Sequence, residues 1–180
     1  MPDGKRFILS GEREIGKTTL LLALKEQSQK AGFDVSGVIS PAVFEAGSKT
    51  GIDLLDLRSG KQIRLANLNK AEPDSQIATI HWAFDEGALQ YGNEVLGRAT
   101  PCDLLIVDEL GPIELVRGQG WQNGIQAIES KEYKAAVIVI RPSLLDVAFS
   151  KWSDATLLTL EQKDPAQQAT LVQSIISSLK

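Results

Sequence analysis

The sequence predicts an α/β fold in which a mostly parallel sheet is flanked by helices. Short apolar runs alternate with helical segments along the chain, as in proteins built from strand–helix–strand units. The runs at 104–107 and 135–140 are continuously apolar, which is typical of strands covered on both faces. A glycine-containing loop joins the first apolar run directly to the first helical segment. These three observations together favour a sheet enclosed between two layers of helices.

The first elements follow from short local patterns. Residues 7–9 are an apolar run that ends at a glycine, which predicts a buried strand. Residues 18–30 are rich in leucine, alanine and lysine and predict a helix, which Gly32 can end in a left-handed conformation. Residues 35–40 predict a second strand, which Pro41 stops.

Residues 43–65 do not show the alternation of strands and helices. Turn residues separate short β-prone runs, which lie at 43–44, 51–57 and 63–65. We therefore expect antiparallel hairpins inserted after the second strand. A helix is predicted at 84–96, although Gly87 and Gly92 each cost about 1 kcal/mol relative to alanine.

The second half returns to strand–helix alternation. The predicted elements are a strand at 104–107, a helix at 121–128, a strand at 135–140, a short helix at 143–150, a strand at 155–160 and a helix from 165 to about 179. Asp164 and Pro165 suit the N-cap and first position of that last helix. With no repeat and no linker, residues 1–180 are interpreted as a single domain.

Composition and charge reduce the number of functional classes to which the protein could belong. Lys and Arg number 19 against 23 Asp and Glu, and no basic run occurs, so we expect no nucleic-acid partner. Cys102 is the sole cysteine, which excludes an intrachain disulfide and favours a small residue at a strand entrance over a reactive thiol. No signal-peptide core is found, and no apolar run reaches the ~18 residues of a membrane span. We expect a cytoplasmic protein without a membrane partner; a protein partner is possible, but no motif identifies one.

One motif carries most of the functional signal. Residues 11–18 match G-x-x-x-x-G-K-[ST], in which glycines let backbone amides surround phosphate oxygens at a helix N-terminus. Lys17 would bridge the β- and γ-phosphates, and the Thr18 hydroxyl would bind Mg²⁺. A simple glycine turn is the alternative, but the preceding strand and following helix favour the phosphate loop. The candidate phosphate-binding residues are Gly11, Glu12, Arg13, Glu14, Ile15, Gly16, Lys17, Thr18 and Thr19.

Two carboxylates directly follow the apolar run at 104–107. Asp108 would lie at the carboxyl end of a buried parallel strand, where ligands bind in open α/β sheets, and is placed to hold Mg²⁺. Glu109 would act as the general base that activates water. The alternative is that both residues merely cap a strand at the surface.

Arg141 follows the apolar run at 135–140. In triphosphatases with a glutamate after the magnesium aspartate, this strand usually lies between the phosphate-loop strand and the aspartate strand. That order would bring Arg141 near the γ-phosphate, where its charge would stabilise the transition state. A surface arginine, or one paired with Asp146, is an equally open interpretation.

Other polar and aromatic residues carry weaker signals. His81 is the sole histidine, so a histidine-rich metal site is excluded and a surface or core role is favoured. Glu114 is either near the phosphate site or a helix-entry carboxylate, and Arg13 either touches phosphate or points to solvent. The three tryptophans are expected to pack in the core, although one of them could border a nucleobase; they are Trp82, Trp121 and Trp152.

Several segments together resemble a family of small P-loop nucleoside-triphosphatases first described from thermophiles. The resemblance covers most of the chain and rests on residues 11–19, 38–57, 108–111 and the strand ending at Arg141. It implies a RecA-like sheet with a β-hairpin insertion, and slow, magnesium-dependent hydrolysis of several nucleoside triphosphates. Relatives commonly have a lysine where this chain has Pro112, and an arginine near the position of Phe44.

Two other functions stay open at this stage. A GTP- or ATP-binding adapter or switch protein in cofactor assembly fits the D-x-x-G pattern at 108–111. The segment at 69–72 weakly resembles a guanine-reading motif, but it precedes the D-x-x-G strand instead of following it. A small-molecule kinase is the third possibility, although kinases of this size usually carry an arginine-rich lid, which the sequence lacks. The nucleoside-triphosphatase is the prediction we favour.

Overall fold

The computed structural model describes residues 4–68 and 82–180. These residues form nine strands, which are β1 (Lys5–Ser10), β2 (Val35–Ile39), β3 (Ala42–Glu45), β4 (Ser48–Asp56), β5 (Gln62–Leu68), β6 (Trp82–Phe84), β7 (Cys102–Val107), β8 (Tyr133–Val139) and β9 (Thr156–Thr159). Their α-helices are α1 (Lys17–Lys30), α2 (Glu86–Gly97), α3 (Pro112–Leu115), α4 (Gln122–Ser130), α5 (Leu145–Lys151) and α6 (Pro165–Ser177), and a 3-10 turn spans Pro142–Leu144. The predicted α/β alternation is confirmed.

All the described strands belong to one mixed sheet. The strand order is β6-β5-β4-β2-β7-β8-β1-β9, and β3 pairs with β4 outside this path. From β2 to β9 in this order the neighbouring strands are parallel, whereas the pairs on the β4 side of β2 are antiparallel. The predicted parallel sheet is therefore one half of a larger sheet, which the insertion extends. The predicted position of β8 between β1 and β7 is confirmed.

The strand β7 shows why its residues are continuously apolar. Leu105 and Val107 belong to the core that lies under α2, α4 and α5. Leu104 and Ile106 belong to a second core under α1 and α6 on the opposite face. Because successive side chains of a strand point to opposite faces, a strand covered on both sides needs an apolar residue at every position.

The end of α1 at Lys30 and the start of α6 at Pro165 lie where the sequence predicted them. Gly32 has a φ of 87°, and the amides of Gly32 and Phe33 donate to the carbonyl oxygens of Gln29 and Ser28, which forms a Schellman motif at the end of α1. At the start of α6, the Asp164 carboxylate accepts a hydrogen bond of 3.0 Å from the amide of Ala166. Local capping chemistry therefore sets both boundaries.

The insertion after β2 consists of hairpins, as the sequence predicted. Strands β3 and β4 are joined at Ala46 and Gly47, whose φ values of 47° and 79° are those of a tight hairpin turn with both central residues left-handed. Strand β4 then pairs with β5, and β5 with β6. Because β4 also pairs with β2, the hairpins continue the main sheet.

The predicted start of the helix at 84–96 was wrong. Phe84 lies in β6 and pairs with Ala66. The helix α2 starts two residues later, at Glu86, where the Asp85 carboxylate accepts from the amide of Ala88 at 2.7 Å as the N-cap. Gly92 within this helix has a packing role. A Cβ there would lie 2.6 Å from Leu54 and 2.9 Å from the ring of Trp121.

Two features of the sequence lie outside the described residues, namely His81 and the weak guanine-reading resemblance at 69–72. In the part of the chain that the structure describes, no helix has the length and apolar character needed to cross a membrane.

Candidate active site

The loop between β1 and α1 needs glycine at both glycine positions of the G-x-x-x-x-G-K-[ST] motif. A Cβ on Gly11 would lie 2.4 Å from the carbonyl oxygen of Leu160, so a larger residue does not fit. Gly16 has a φ of 107° and precedes α1 as its N-cap residue. Since glycine has no side chain to cap the helix, the first amides of α1 stay available to an anion.

Lys17 lies within this loop. Its Nζ donates hydrogen bonds of 2.6 Å to the carbonyl oxygens of Gly11 and Glu12. Burial lowers the pKa of Lys17, and the nearby charges of Glu109 and Asp108 partly offset this effect. The phosphate loop thus holds the ammonium group directly, and the two carboxylates that follow β7 act on it through their charge.

Asp108 connects three elements at the carboxyl edge of the sheet. It is 4% exposed, and its Oδ2 accepts from the Thr18 hydroxyl at 3.3 Å and from the Ser40 amide at 3.1 Å. The Ser40 hydroxyl also donates to the backbone carbonyl oxygen of Asp108 at 2.7 Å. The start of α1 and the end of β2 are thereby tied to the end of β7.

Sequence reasoning did not find Ser40. One feature of the sequence could have identified it: Ser40 is a polar residue directly after β2, just as Asp108 comes directly after β7. That signal becomes meaningful only once β2 and β7 are known to be parallel neighbours, because the carboxyl ends of parallel neighbours lie at one edge.

The surroundings of Asp108 suit a hard divalent cation. Burial raises the pKa of Asp108 to about 7, hydrogen bonds from Ser40 and Thr18 oppose this rise, and the charge of Glu109 adds to it. A cation beside the carboxylate would favour its charged form. Among the described residues no group of three or more metal-binding side chains occurs. The Thr18 hydroxyl and the Asp108 carboxylate are two oxygens, 3.3 Å apart, that could hold a divalent cation with few protein ligands.

Glu109 and Arg141 form an ion pair. Arg141 Nε donates a hydrogen bond to Glu109 Oε1, and the side chains are 42% and 27% exposed, respectively. The interpretation of Arg141 as the partner of Asp146 is therefore wrong in this structure. Glu109 follows β7 and Arg141 follows β8, so the parallel pairing of these strands brings both residues to the carboxyl edge of the sheet, where their charges act on the pKa of Lys17.

The remaining predicted loop residues divide into two groups. Ile15 is half-buried and packs against the core under α1. The others are exposed and make no contact that assigns them a role: Glu12, Arg13, Glu14 and Thr19. Glu12 contributes its backbone carbonyl to Lys17. The solvent-facing interpretation of Arg13 agrees with its exposure.

The weaker candidates have structural roles. Glu114 accepts from the amides of Gly111 at 2.9 Å and Trp121 at 3.3 Å, so it is a helix-entry carboxylate. Trp121 and Trp152 are buried in the core, as predicted. Burial raises the pKa of the Cys102 thiol to about 12, which agrees with an unreactive residue.

With this geometry established, comparisons with known proteins decide the family. The sequence profile of a family described as NTPase matches residues 6–175, nearly the whole chain. The chain belongs to this family of nucleoside triphosphatases. Of the two positions at which a difference from relatives was expected, Pro112 opens α3 and Phe44 lies exposed on β3.

Relatives of this NTPase carry the name nucleoside-triphosphatase THEP1. The protein from Methanosarcina acetivorans is 27% identical over 125 residues, which cover 69% of this chain and 67% of the relative. The protein from Pyrobaculum aerophilum is 33% identical over 109 residues, covering 61% and 59%. The protein from Methanothermobacter thermautotrophicus is 26% identical over 144 residues, covering 79% and 80%. The aligned segments thus leave a fifth to two fifths of each relative unmatched.

A solved structure supports the fold of this NTPase. The solution structure of a human cancer-related nucleoside triphosphatase superposes with a TM-score of 0.68, covering 98% of both chains. The sequence identity is 19%, so this likeness concerns the fold alone.

Proposed function

We propose that this chain hydrolyses nucleoside triphosphates to diphosphates and phosphate with Mg²⁺, slowly and with little preference for the base. The observation that carries the proposal is the contact between Thr18 and Asp108. Their oxygens lie 3.3 Å apart, where a phosphate loop meets the end of β7. This is the place at which a metal-bound triphosphate would sit in an open α/β sheet.

The phosphate loop would bind the triphosphate chain. The free amides at the start of α1 would donate hydrogen bonds to the phosphate oxygens, and Lys17 would exchange its loop carbonyl partners for the β- and γ-phosphates. Thr18 and Asp108 would hold the metal ion. Mg²⁺, when bound, would neutralise charge on the β- and γ-phosphate oxygens.

Glu109 and Arg141 would carry the chemical step. Glu109 would accept a proton from the attacking water, and it is the carboxylate closest in sequence to the metal residue. Arg141 would move its positive charge from Glu109 to the γ-phosphate, which would stabilise the developing charge and release the carboxylate to act as a base. The ion pair would thus hold both groups together before substrate arrives.

A direct test is phosphate release from ATP, GTP, CTP and UTP with Mg²⁺, comparing wild type with Lys17→Ala and Glu109→Gln. The proposal requires release from several triphosphates that depends on Mg²⁺ and is lost in both variants. If wild type binds nucleotide but releases no phosphate, an adapter or a kinase that awaits an acceptor would explain the site better. A guanine preference of about tenfold or more, ~1.4 kcal/mol, would point to a GTP-dependent switch.

Three further expectations belong with this proposal. Residues 1–180 as a single domain and a cytoplasmic location stay predictions from the sequence. The absence of a nucleic-acid partner also stays a prediction, based on the excess of acidic residues. No residue described above identifies a protein partner.

A further inference from the structure

Ser40 holds Asp108 at two separate points. The Ser40 hydroxyl donates a hydrogen bond of 2.7 Å to the backbone carbonyl oxygen of Asp108. The Ser40 amide donates a second hydrogen bond, of 3.1 Å, to Oδ2 of the Asp108 carboxylate. One residue therefore fixes both the main chain and the side chain of the carboxylate that the proposed function assigns to the metal ion.

These contacts leave one carboxylate oxygen of Asp108 without a partner. Oδ2 accepts from the Ser40 amide and, at 3.3 Å, from the Thr18 hydroxyl. Oδ1 accepts no hydrogen bond within the part of the chain that the structure describes, although Asp108 is only 4% exposed. Carboxylates this deeply buried are usually paired with donors or with a cation. The oxygen that Ser40 leaves free is therefore available to a divalent cation.

Ser40 is itself held in place by its neighbours. It directly follows β2, and Pro41 restricts the residue before it to extended backbone conformations. The Pro41 carbonyl oxygen accepts a hydrogen bond of 2.9 Å from the amide of Asp53 in β4. The Asp108 amide in turn donates to the carbonyl oxygen of Val38 at 3.2 Å. Because β2 and the start of the hairpin insertion both anchor it, Ser40 has little freedom to leave Asp108.

We propose that Ser40 is a positioning residue of the metal site, whose hydroxyl holds Asp108 in the orientation that binds a divalent cation. The inference rests on the proposed function and assigns a group that sets the metal affinity. Groups that orient a metal-binding side chain typically contribute about 10- to 100-fold to metal affinity or activity. The Ser40 amide is kept when the side chain is replaced, so the hydroxyl alone should contribute about tenfold.

Thr18 also contacts Asp108, but in a different way. Its hydroxyl belongs to the phosphate loop and donates to the carboxylate itself, so it would exchange this bond for the metal ion. The Ser40 hydroxyl bonds to the backbone carbonyl oxygen, which has no part in the proposed metal site. That bond can persist when a cation binds, as a positioning group requires.

Binding of ADP tests the inference without turnover. Its dissociation constant is measured by calorimetry with excess Mg²⁺ and with EDTA. Ser40→Ala should weaken binding about tenfold in Mg²⁺ and leave binding in EDTA unchanged, because only the metal contact passes through Asp108. Ser40→Thr keeps the hydroxyl and should bind as wild type does. Ser40→Cys, with a weaker donor of nearly the same shape, should lie between wild type and Ser40→Ala.

Phosphate release from ATP gives a second measurement. The Mg²⁺ concentration that half-saturates the reaction should rise about tenfold in Ser40→Ala, and high Mg²⁺ should restore most of the wild-type kcat. This recovery separates weak metal binding from general damage to the fold, which added Mg²⁺ would not repair.

Ser59→Ala is the matched control. The Ser59 hydroxyl also donates a hydrogen bond of 2.7 Å to a buried aspartate, but that residue is Asp56, beside the turn between β4 and β5. Removing this bond should change neither measurement.

Three results would overturn the inference and leave the hydrolase intact. They are unchanged binding in Mg²⁺ for Ser40→Ala, equal losses in Ser40→Ala and Ser40→Thr, and equal weakening with and without Mg²⁺. A wild type that binds ADP no better with Mg²⁺ than with EDTA would instead refute the metal site of the proposed function, and the inference with it.

Discussion

Arg141 donates a hydrogen bond from its Nε to the Glu109 carboxylate, joining the ends of two adjacent parallel strands. The two residues are 32 positions apart in the chain. Their charges, together with those of Asp108 and Glu12, all act on the pKa of Lys17, so these groups form one charged cluster at the carboxyl edge of the sheet. In the proposed reaction, Arg141 and Glu109 would supply a cation and a carboxylate beside the bound triphosphate.

Replacing Arg141 tests whether its charge acts on the transition state. Arg141→Gln should lower kcat about 100-fold with a small change in KM, because a positioned charge that stabilises developing charge contributes this much. Arg141→Lys should keep part of the activity, since it keeps the charge but loses the planar fork of the guanidinium. An Arg141→Gln enzyme with wild-type kcat would show that the arginine serves only to pair with Glu109.

Replacing Glu109 separates binding from chemistry. Glu109→Gln should lower kcat by about 100-fold or more, because the general base is lost, whereas nucleotide affinity should be equal or higher because a negative charge near the phosphates is removed. Single-turnover hydrolysis and equilibrium binding of Mg-ATP measure the two effects. Asp146→Asn is the matched control, since this exposed carboxylate follows the same strand end as Arg141 without pairing with it. Comparable loss of kcat in both variants would contradict the assignment.

The position of Gly37 in the sheet predicts that its replacement lowers the stability of the fold. It lies buried in β2 with a φ of 106°, and a Cβ there would be 2.0 Å from the carbonyl oxygen of Ile106 in β7. Gly37→Ala should lower the free energy of unfolding by about 3 kcal/mol or more, since it adds both backbone strain and a collision with the neighbouring strand. Urea titration measures the change.

Gly32→Ala is the control for this prediction. Gly32 also has a positive φ, of 87°, but nothing lies within 4 Å of the Cβ position. It should cost only about 1 kcal/mol, from backbone strain alone. Equal losses in the two variants would show that the close approach to Ile106 does not matter.

The ion pairs of Asp154 predict that the stability of the fold decreases at acidic pH. Hydrogen bonds from Lys131 and Arg6 hold the pKa of Asp154 at about 2, below its ordinary value of 3.8. A lowered pKa in the folded state stabilises the protein above about pH 4, and this contribution is lost as pH falls from about 4 to about 2. Since Asp154 is 48% exposed, solvent screening reduces the contribution to about 1 kcal/mol.

Asp154→Asn should therefore lower the free energy of unfolding by about 1 kcal/mol at pH 7 and by progressively less toward pH 2. Denaturant titrations at several pH values measure the difference. Glu26→Gln, which removes the exposed pair with Lys30, should cause no measurable change at any pH. A difference for Asp154→Asn that stays constant down to pH 2 would exclude the ion pairs as its cause.

Local chemistry accounts for the parts of the fold that could be predicted. The end of α1 followed from Gly32, and the start of α6 followed from Asp164 and Pro165, because each boundary depends on neighbours in the chain. The start of α2 was misplaced because an apolar residue such as Phe84, directly before a helix, continues the apolar pattern of that helix. Its pairing with Ala66, far away in sequence, decided between them.

The sequence by itself was enough to predict the phosphate loop, the buried parallel strands and the two carboxylates after β7. Each of these features depends on a short run of consecutive residues. Tertiary structure alone decided what surrounds them. Ser40 reaches Asp108 across 68 positions, and Thr18 reaches it across 90, because β2 lies beside β7 and α1 starts at the same edge of the sheet. Such lateral neighbours depend on how both faces of the sheet pack, a property of the whole chain that no short segment contains.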